Sequence, residues 1–180
     1  MKRLVVPAAA LALTTIASLS SAAAEMRRGS FEAGAFVFRT NFDSDSNVDD
    51  QQGFGGRFGF VFAPRHELEL TFDHISTEDD FFGEDVDLDT FKAGYIFNFL
   101  PDSAVCPFAQ VGGGWQNVDI GAFGVEETDT VLYGGAGIRF FIGNVFNIRM
   151  DGLFQQVYAE DDTLLDTLLE IGLGWVFGGR

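Results

Sequence analysis

The chain of 180 residues carries 11 lysines and arginines against 27 aspartates and glutamates, a formal net charge of −16. That length suits one domain, and the charge excludes a nucleic-acid-binding protein because phosphate recognition needs a basic surface. A hydrophobic fraction of 47% excludes a disordered chain, and a single cysteine excludes an internal disulfide framework.

The first 24 residues have the pattern of a secretory signal peptide. A basic start, Met1–Arg3, precedes an apolar stretch from Leu4 to Leu19, and Ala22–Ala24 supplies the small residues that signal peptidase accepts. The apolar stretch is short for a membrane anchor, which needs about 20 apolar residues. We therefore predict a cleaved signal peptide over residues 1–24, export through the inner membrane, and one domain over residues 25–180.

From residue 30 onward, apolar residues alternate with polar or small ones, and this period of two predicts β-strands. The eight predicted strands are Ser30–Phe42, Gly53–Phe62, Glu67–Ile75, Leu88–Phe99, Val105–Val118, Thr130–Phe141, Val145–Val157 and Asp166–Phe177. The connections alternate in length and charge. Short turns are predicted at 63–65, 100–103 and 142–144, and long acidic loops near 43–52, 76–87, 119–129 and 158–165. This alternation predicts an antiparallel up-and-down meander with both termini at the short-turn end.

The predicted strands have one apolar, aromatic face and one face that combines glycines with charges of both signs. In the first strand we assign Phe36 and Phe38 to the apolar face and Arg39 to the other. The apolar face of a soluble lipocalin-like barrel points inward, whereas in an outer-membrane barrel it faces lipid. Glycines on a solvent-exposed face would only weaken the strands. We therefore favour the inverted arrangement, closed because lipid does not tolerate an open sheet edge.

The lumen of such a barrel is predicted to hold five basic and five acidic side chains. Because an unpaired buried charge costs several kcal/mol, we expect the two signs to balance and to form ion pairs. One expected pair joins Lys92 and Glu69 on adjacent strands. The predicted lumen charge network is Arg39, Arg57, Glu67, Glu69, Asp73, Lys92, Arg139, Arg149, Asp151 and Glu170.

Three segments resemble strands of a known family: FEAGAFVF at 31–38, PFAQVGGG at 107–114 and LEIGLGWVF at 169–177. On these, the chain is similar over essentially all of residues 25–180 to the small bacterial outer-membrane β-barrel family of the OmpA-like transmembrane type. The resemblance implies an all-β fold, an eight-stranded antiparallel up-and-down transmembrane β-barrel in the bacterial outer membrane. Family members end on an aromatic residue that the barrel-assembly machinery recognises. Trp175 and Phe177 fit this assembly signal, although Gly178–Arg180 follow them.

The sequence predicts no cofactor and no metal site. Asp43–Asp49 begins like a calcium-binding loop, but it lacks the sixth-position glycine and the distal glutamate of an EF-hand. Loose binding of Ca²⁺ or Mg²⁺ by the acidic loops remains an alternative to a solvated run of charge. Cys106 is predicted to be a small apolar residue of its strand.

One group of side chains suggests an alternative chemistry. His74 ends the third predicted strand with its side chain outward, Ser76 follows, and hairpin pairing brings Asp89 near His74. A Ser–His–Asp group can activate serine for acyl transfer, and outer-membrane lipid A deacylases are similar in using an outward His-x-Ser pair. In those enzymes the pair lies near the C-terminal end and is followed by asparagine; here it is early and followed by Thr77.

We predict that the protein is not an enzyme. It is expected to be a monomeric barrel with a structural or interaction role, a filled polar lumen and acidic extracellular loops. Its expected surroundings are outer-membrane lipid and lipopolysaccharide, and its expected partner during insertion is the barrel-assembly machinery. A general diffusion pore is not favoured because eight strands leave no open channel.

Overall fold

The computed structural model describes residues 26–41, 51–78, 85–120, 125–159 and 163–179. Eight strands account for nearly all of them. They are β1 (Ser30–Asn41), β2 (Gln51–Ala63), β3 (His66–Glu78), β4 (Asp85–Asn98), β5 (Val105–Ile120), β6 (Val125–Ile142), β7 (Phe146–Tyr158) and β8 (Thr163–Gly178). Within those ranges no helix has the length and apolar character that crossing a membrane would require.

The strands form one closed antiparallel barrel in chain order. Each strand pairs with the next, and β1 closes the sheet by pairing with β8, where Ala33 lies opposite Trp175. On its other side Ala33 lies opposite Phe58 of β2. Closure leaves no unpaired strand edge, so the predicted all-β, eight-stranded up-and-down barrel is confirmed.

The strands extend further toward the long-loop end than the alternation predicts. The third predicted long loop, 119–129, is mostly strand, since β5 runs to Ile120 and pairs there with Val125 at the start of β6. The second, 76–87, is shortened in the same way because Glu78 pairs with Asp85. These stretches are polar, so their composition indicated loops. Cross-strand hydrogen bonding continues through them nonetheless, because a paired strand tolerates polar side chains wherever neither face must be apolar.

The outer wall is apolar and aromatic. Large exposed apolar side chains occur on seven of the eight strands, and the exposed fraction reaches 68% for Leu173 and 61% for Phe54. On β4 the outward rings Phe91, Tyr95 and Phe97 are half-buried. Near the short-turn end the rings contact one another, as Trp175 and Phe177 do with centroids 5.3 Å apart. Apolar surface of this extent is stable when lipid covers it, and aromatic side chains at its border are typical of the membrane interface.

The interior is filled by two layers of different chemistry. The layer toward the short-turn end contains buried charged side chains. The layer toward the long-loop end contains an apolar cluster, which consists of Phe36, Phe38, Ile75, Leu88, Tyr133, Leu153 and Leu168, with Val118 packed against it. Buried polar side chains, among them Gln116 and Gln155, lie beside this cluster. An eight-stranded barrel is just wide enough for side chains to fill.

A short segment before β1 covers the short-turn end. Met26 is fully buried, and its backbone N–H donates to the carbonyl of Pro101, with N and O 3.1 Å apart. Pro101 lies in the turn between β4 and β5, on the side of the barrel opposite β1. The segment from Met26 to Gly29 therefore crosses the end of the barrel, and Gly29 returns to the wall by donating to the Val61 carbonyl at 2.7 Å.

Candidate functional site

Nine of the ten side chains predicted to line the lumen are buried inside the barrel. They are Arg57, Glu67, Glu69, Asp73, Lys92, Arg139, Arg149, Asp151 and Glu170. The tenth assignment is wrong: Arg39 is exposed and has the outward parity of β1, whereas its neighbours Phe36 and Phe38 are each only 4% exposed.

The error in β1 came from assigning every large ring to the lipid face. Phe36 and Phe38 point inward because they fill the apolar layer of the lumen. Glu32 lies on the same side of β1 as Phe36 and Phe38 and is fully buried. Glu32, and not Arg39, therefore takes part in the ion pairs of the lumen. The sequence does contain a pattern that indicates an inward Glu32. A charged residue, Glu32, is followed two positions later by Gly34, and this combination is the pattern of the lumen face in the other strands.

Arg139 is the centre of the lowest group of charges. Its Nη2 lies 2.9 Å from Oε2 of Glu67, and its Nε lies 3.3 Å from Oε2 of Glu32. Its Nη1 donates to Oδ1 of Asn98 at 2.6 Å. The Phe108 ring lies under the guanidinium, 4.8 Å from Cζ to the ring centroid. Two carboxylates, an amide and an aromatic ring thus surround one arginine, a planar group suited to such multiple contacts.

Arg149 lies opposite Arg139 in the β6–β7 register and contacts side chains of three strands. It donates from Nη1 and Nη2 to the two carboxylate oxygens of Glu69, at 2.5 and 3.2 Å, and from Nε to Oδ1 of Asp151 at 3.0 Å. Its guanidinium also lies over Phe108, with Cζ 4.5 Å from the centroid. Phe108 therefore contacts both arginines of the lower lumen.

Arg57 connects Asp151 to the closing strand. Its Nη1 lies 2.7 Å from Oδ2 of Asp151, and its Nη2 lies 3.0 Å from Oε2 of Glu170. The Phe36 ring covers the guanidinium, 4.2 Å from Cζ to the centroid. This contact joins the charged layer to the apolar layer above it.

The predicted pairing of Lys92 with Glu69 is wrong. Lys92 forms its ion pair with Asp73, because Glu69 lies opposite Gly94 in the β3–β4 register and its carboxylate crosses the lumen to Arg149. Lys92 also lies over the Tyr133 ring, with Nζ 5.4 Å from the centroid.

The predicted equality of charges does not hold either. Among the described residues, four basic side chains are buried, namely Arg57, Lys92, Arg139 and Arg149. Eight acidic ones are buried, namely Glu32, Glu67, Glu69, Asp73, Asp129, Asp151, Asp166 and Glu170. The three buried arginines contact five of these carboxylates, with Asp151 shared between Arg57 and Arg149, and Lys92 pairs with Asp73.

On the outer wall, His74 and Asp89 form the pair that strand pairing predicts. His74 Nδ1 lies 2.7 Å from Asp89 Oδ1, and the two side chains are 27% and 48% exposed. Ser76 is exposed and shares the outward parity of His74, two residues further along β3. Among the hydrogen bonds of the described residues, none joins Ser76 to His74.

Other residues singled out by the sequence are placed as follows. Trp175 and Phe177 lie on the outer wall at the end of β8, and Cys106 is a fully buried free thiol. The predicted signal peptide and the Asp43–Asp49 segment lie outside the described residues. In the described ranges, no three His, Cys, Asp or Glu side chains are grouped so that they could hold a metal ion.

Comparison with known families decides what this barrel is. The model of the outer membrane protein beta-barrel domain family matches residues 9–177. The chain belongs to this family. Membership of this family, together with the closed barrel, places the protein in the bacterial outer membrane. Among curated proteins the search found no match.

Solved structures share the barrel at low sequence identity. OprG of Pseudomonas aeruginosa superposes with a TM-score of 0.63 at 13% identity, covering 87% of this chain and 100% of that one. The N-terminal barrel domain of OprF from the same organism gives 0.57 at 18%, covering 84% and 99%. Ail of Yersinia pestis, crystallised with the heparin analogue sucrose octasulfate, gives 0.57 at 19%, covering 83% and 99%. Such low identities establish a common fold.

Proposed function

We propose that this outer-membrane barrel is a closed structural or interaction protein, and that its lumen conducts no solutes. The observation that carries the proposal is the filling of the lumen. Three buried arginines each bind two carboxylates in one layer, and the apolar cluster around Phe36 and Phe38 occupies the next. A water-filled pore would need a wider barrel.

The test is conductance of the purified full chain in planar bilayers, with a wide-channel porin as the positive control. We expect no stable current steps from the wild-type barrel and no swelling of proteoliposomes in a small sugar. A reproducible open-channel current from folded wild-type protein would contradict the closed-lumen proposal.

We further propose that the protein presents an acidic surface at the long-loop end, facing the cell exterior because short turns of such barrels are periplasmic. Asp87, Asp119 and Glu127 are exposed there. Acidic side chains repel polyanions, so the chain should differ from Ail, which was crystallised with a polysulfated sugar. We expect no binding of sucrose octasulfate in calorimetry. Measurable binding at physiological salt would contradict an acidic interaction surface.

We infer that the barrel is a monomer surrounded by outer-membrane lipid and lipopolysaccharide, and that the barrel-assembly machinery inserts it. The exposed rings of Trp175 and Phe177 at the end of β8 support this role for the closing strand. Replacing Phe177 by Ala should slow assembly in cells while leaving the barrel able to fold in detergent, which heat-dependent gel migration measures. Unchanged assembly of Phe177→Ala in cells would argue against the signal.

A second candidate is an acyl hydrolase acting on lipid A, and the His74–Asp89 pair favours it. A carboxylate hydrogen-bonded to Nδ1 orients a catalytic histidine so that its Nε2 can accept a proton from serine. Ser76 is offset by two residues along the strand, about 7 Å, so its hydroxyl would have to approach the ring. If the candidate is correct, purified barrel releases fatty acid from lipid A and Ser76→Ala abolishes release without unfolding. Absence of release by the wild type would eliminate it.

A further inference from the structure

The outer wall contains a groove where small residues interrupt the large ones. It has a volume of about 530 Å³ and is lined mainly by Phe58, Phe60, Leu68, Leu70, Tyr95 and Val111. Its floor is formed by Ala93 and by the backbone of two glycines, Gly94 and Gly112. The size is that of a small-molecule site, and its lining is apolar, so it suits a hydrocarbon chain.

A polar pair lies at the short-turn end of this groove. Tyr95, which lines the groove, is hydrogen-bonded to His66, with Oη and Nδ1 2.5 Å apart. His66 is held between rings, stacked on Phe62 at 5.7 Å and edge-on to Phe97 at 5.5 Å. In the β3–β4 register the His66–Phe97 pair is one step below the Leu68–Tyr95 pair, a distance of about 7 Å along the strands.

The geometry of this pair leaves one nitrogen for a ligand. With the Tyr95 hydroxyl as donor to Nδ1, the imidazole proton is on Nε2, which is then a donor to any acceptor at the rim. A phosphate oxygen is such an acceptor. The aromatic surroundings of His66 are typical of the depth at which lipid headgroups meet the hydrocarbon region.

Two exposed arginines lie at the short-turn end of the strands that line the groove. Arg65, exposed in the turn between β2 and β3, precedes His66, and its carbonyl accepts a hydrogen bond from the Asn98 backbone at 2.8 Å. Arg28 is also exposed, and the adjacent Gly29 is bonded to Val61 near the end of β2. Two arginines thus flank the end of β2, in a chain whose formal net charge is −16.

We propose that this groove and rim form a binding site for one anionic glycerophospholipid of the periplasmic leaflet. An acyl chain occupies the groove above Ala93, and the phosphate receives Nε2–H of His66 and the positive charge of Arg65 and Arg28. Charge complementarity selects the lipid, because exposed arginines near the membrane surface attract anionic headgroups. This inference depends on the location of the barrel and not on whether its lumen is closed.

The test is native mass spectrometry of the folded full chain in an uncharged detergent, with phosphatidylglycerol and phosphatidylcholine of the same acyl chains. We expect the wild type to retain phosphatidylglycerol in preference to phosphatidylcholine. Arg65→Gln should lower that preference about fivefold, the effect of one arginine near an anionic surface. Ala93→Leu should reduce retention of both lipids, because it fills the groove and leaves the rim intact.

Two matched controls separate this site from general effects. Arg39→Gln removes an exposed arginine near the long-loop end, and Ala136→Leu enlarges an exposed alanine on β6. Both should keep the wild-type preference and retention, and heat-dependent gel migration verifies folding of every variant. Equal retention of the two lipids by the wild type would overturn the proposal. So would unchanged lipid retention in both Arg65→Gln and Ala93→Leu, or equal losses in the controls.

Discussion

Arg149 and Glu69 meet across the full width of the barrel in a two-bond pair, with N–O distances of 2.5 and 3.2 Å. They belong to β7 and β3, which lie on opposite sides of the closed sheet. The pair therefore links two walls that share no backbone hydrogen bond. Both side chains are buried, so each charge depends on the other for compensation.

Breaking that pair should strongly destabilise the barrel. Arg149→Met leaves the carboxylates of Glu69 and Asp151 without this partner, and we expect a loss of about 3–5 kcal/mol in the free energy of unfolding. Urea unfolding in lipid vesicles, followed by gel migration, measures it. Adding Glu69→Leu to Arg149→Met should recover part of the loss. Arg65→Gln, at an exposed arginine, should change stability by less than about 0.5 kcal/mol. A similar loss of stability in Arg149→Met and Arg65→Gln would show that burial of Arg149 is not the cause of the destabilisation.

The partner of Lys92 can be determined by double-mutant cycles. Lys92→Met with Asp73→Asn should show a coupling of about 0.5–3 kcal/mol, the range for residues in direct contact. The cycle of Lys92→Met with Glu69→Gln should show a smaller coupling, since Lys92 pairs with Asp73 and Glu69 with Arg149. The reverse order of the two couplings would mean that Lys92 pairs with Glu69, as the sequence predicts.

Arginine substitutions on the outer wall should report depth in the membrane. Leu173→Arg is expected to cost about 2–4 kcal/mol because Leu173 lies well above the aromatic end of β8. Phe97→Arg should cost only about 0–1 kcal/mol, because Phe97 is one residue from the end of β4, among the interfacial rings. Folding yields and unfolding free energies in vesicles distinguish these outcomes, and wild-type stability of Leu173→Arg would contradict a lipid-facing wall.

Gly114 should not tolerate a side chain. A Cβ at this position would meet the carbonyl of Phe91 and Cα of Lys92 on the neighbouring strand, so the backbone must shift. We expect Gly114→Ala to cost about 1–3 kcal/mol. The control is Gly134→Ala, where the nearest atom is the Gln110 carbonyl oxygen at an ordinary 3.7 Å. Its stability should equal or slightly exceed that of the wild type, because alanine restricts the unfolded chain. Equal effects at the two glycines would exclude close strand approach as the cause.

The amino-acid sequence by itself determined the number, order and direction of the strands. These follow from local properties, namely a period of two and turn residues such as Gly143, whose φ of +67° ends the β6 strand at its turn. It also determined the inward side of seven strands, because charge and glycine alternate with large apolar residues. Even the outward His74–Asp89 pair follows from hairpin pairing of two consecutive strands.

Only the tertiary structure decided which charges meet and how the first strand is oriented. Glu69 binds Arg149 because closure of the barrel brings β3 and β7 face to face. The two residues are 80 positions apart in the chain, so no local period in the sequence indicates this contact. Phe36 and Phe38 point inward because the upper lumen needs apolar volume, and Glu32 then replaces Arg39 beside the other charges. An aromatic ring fits the alternating pattern of a strand whether it faces lipid or an apolar lumen. Its side of the wall therefore depends on the interior volume that the closed barrel leaves to be filled.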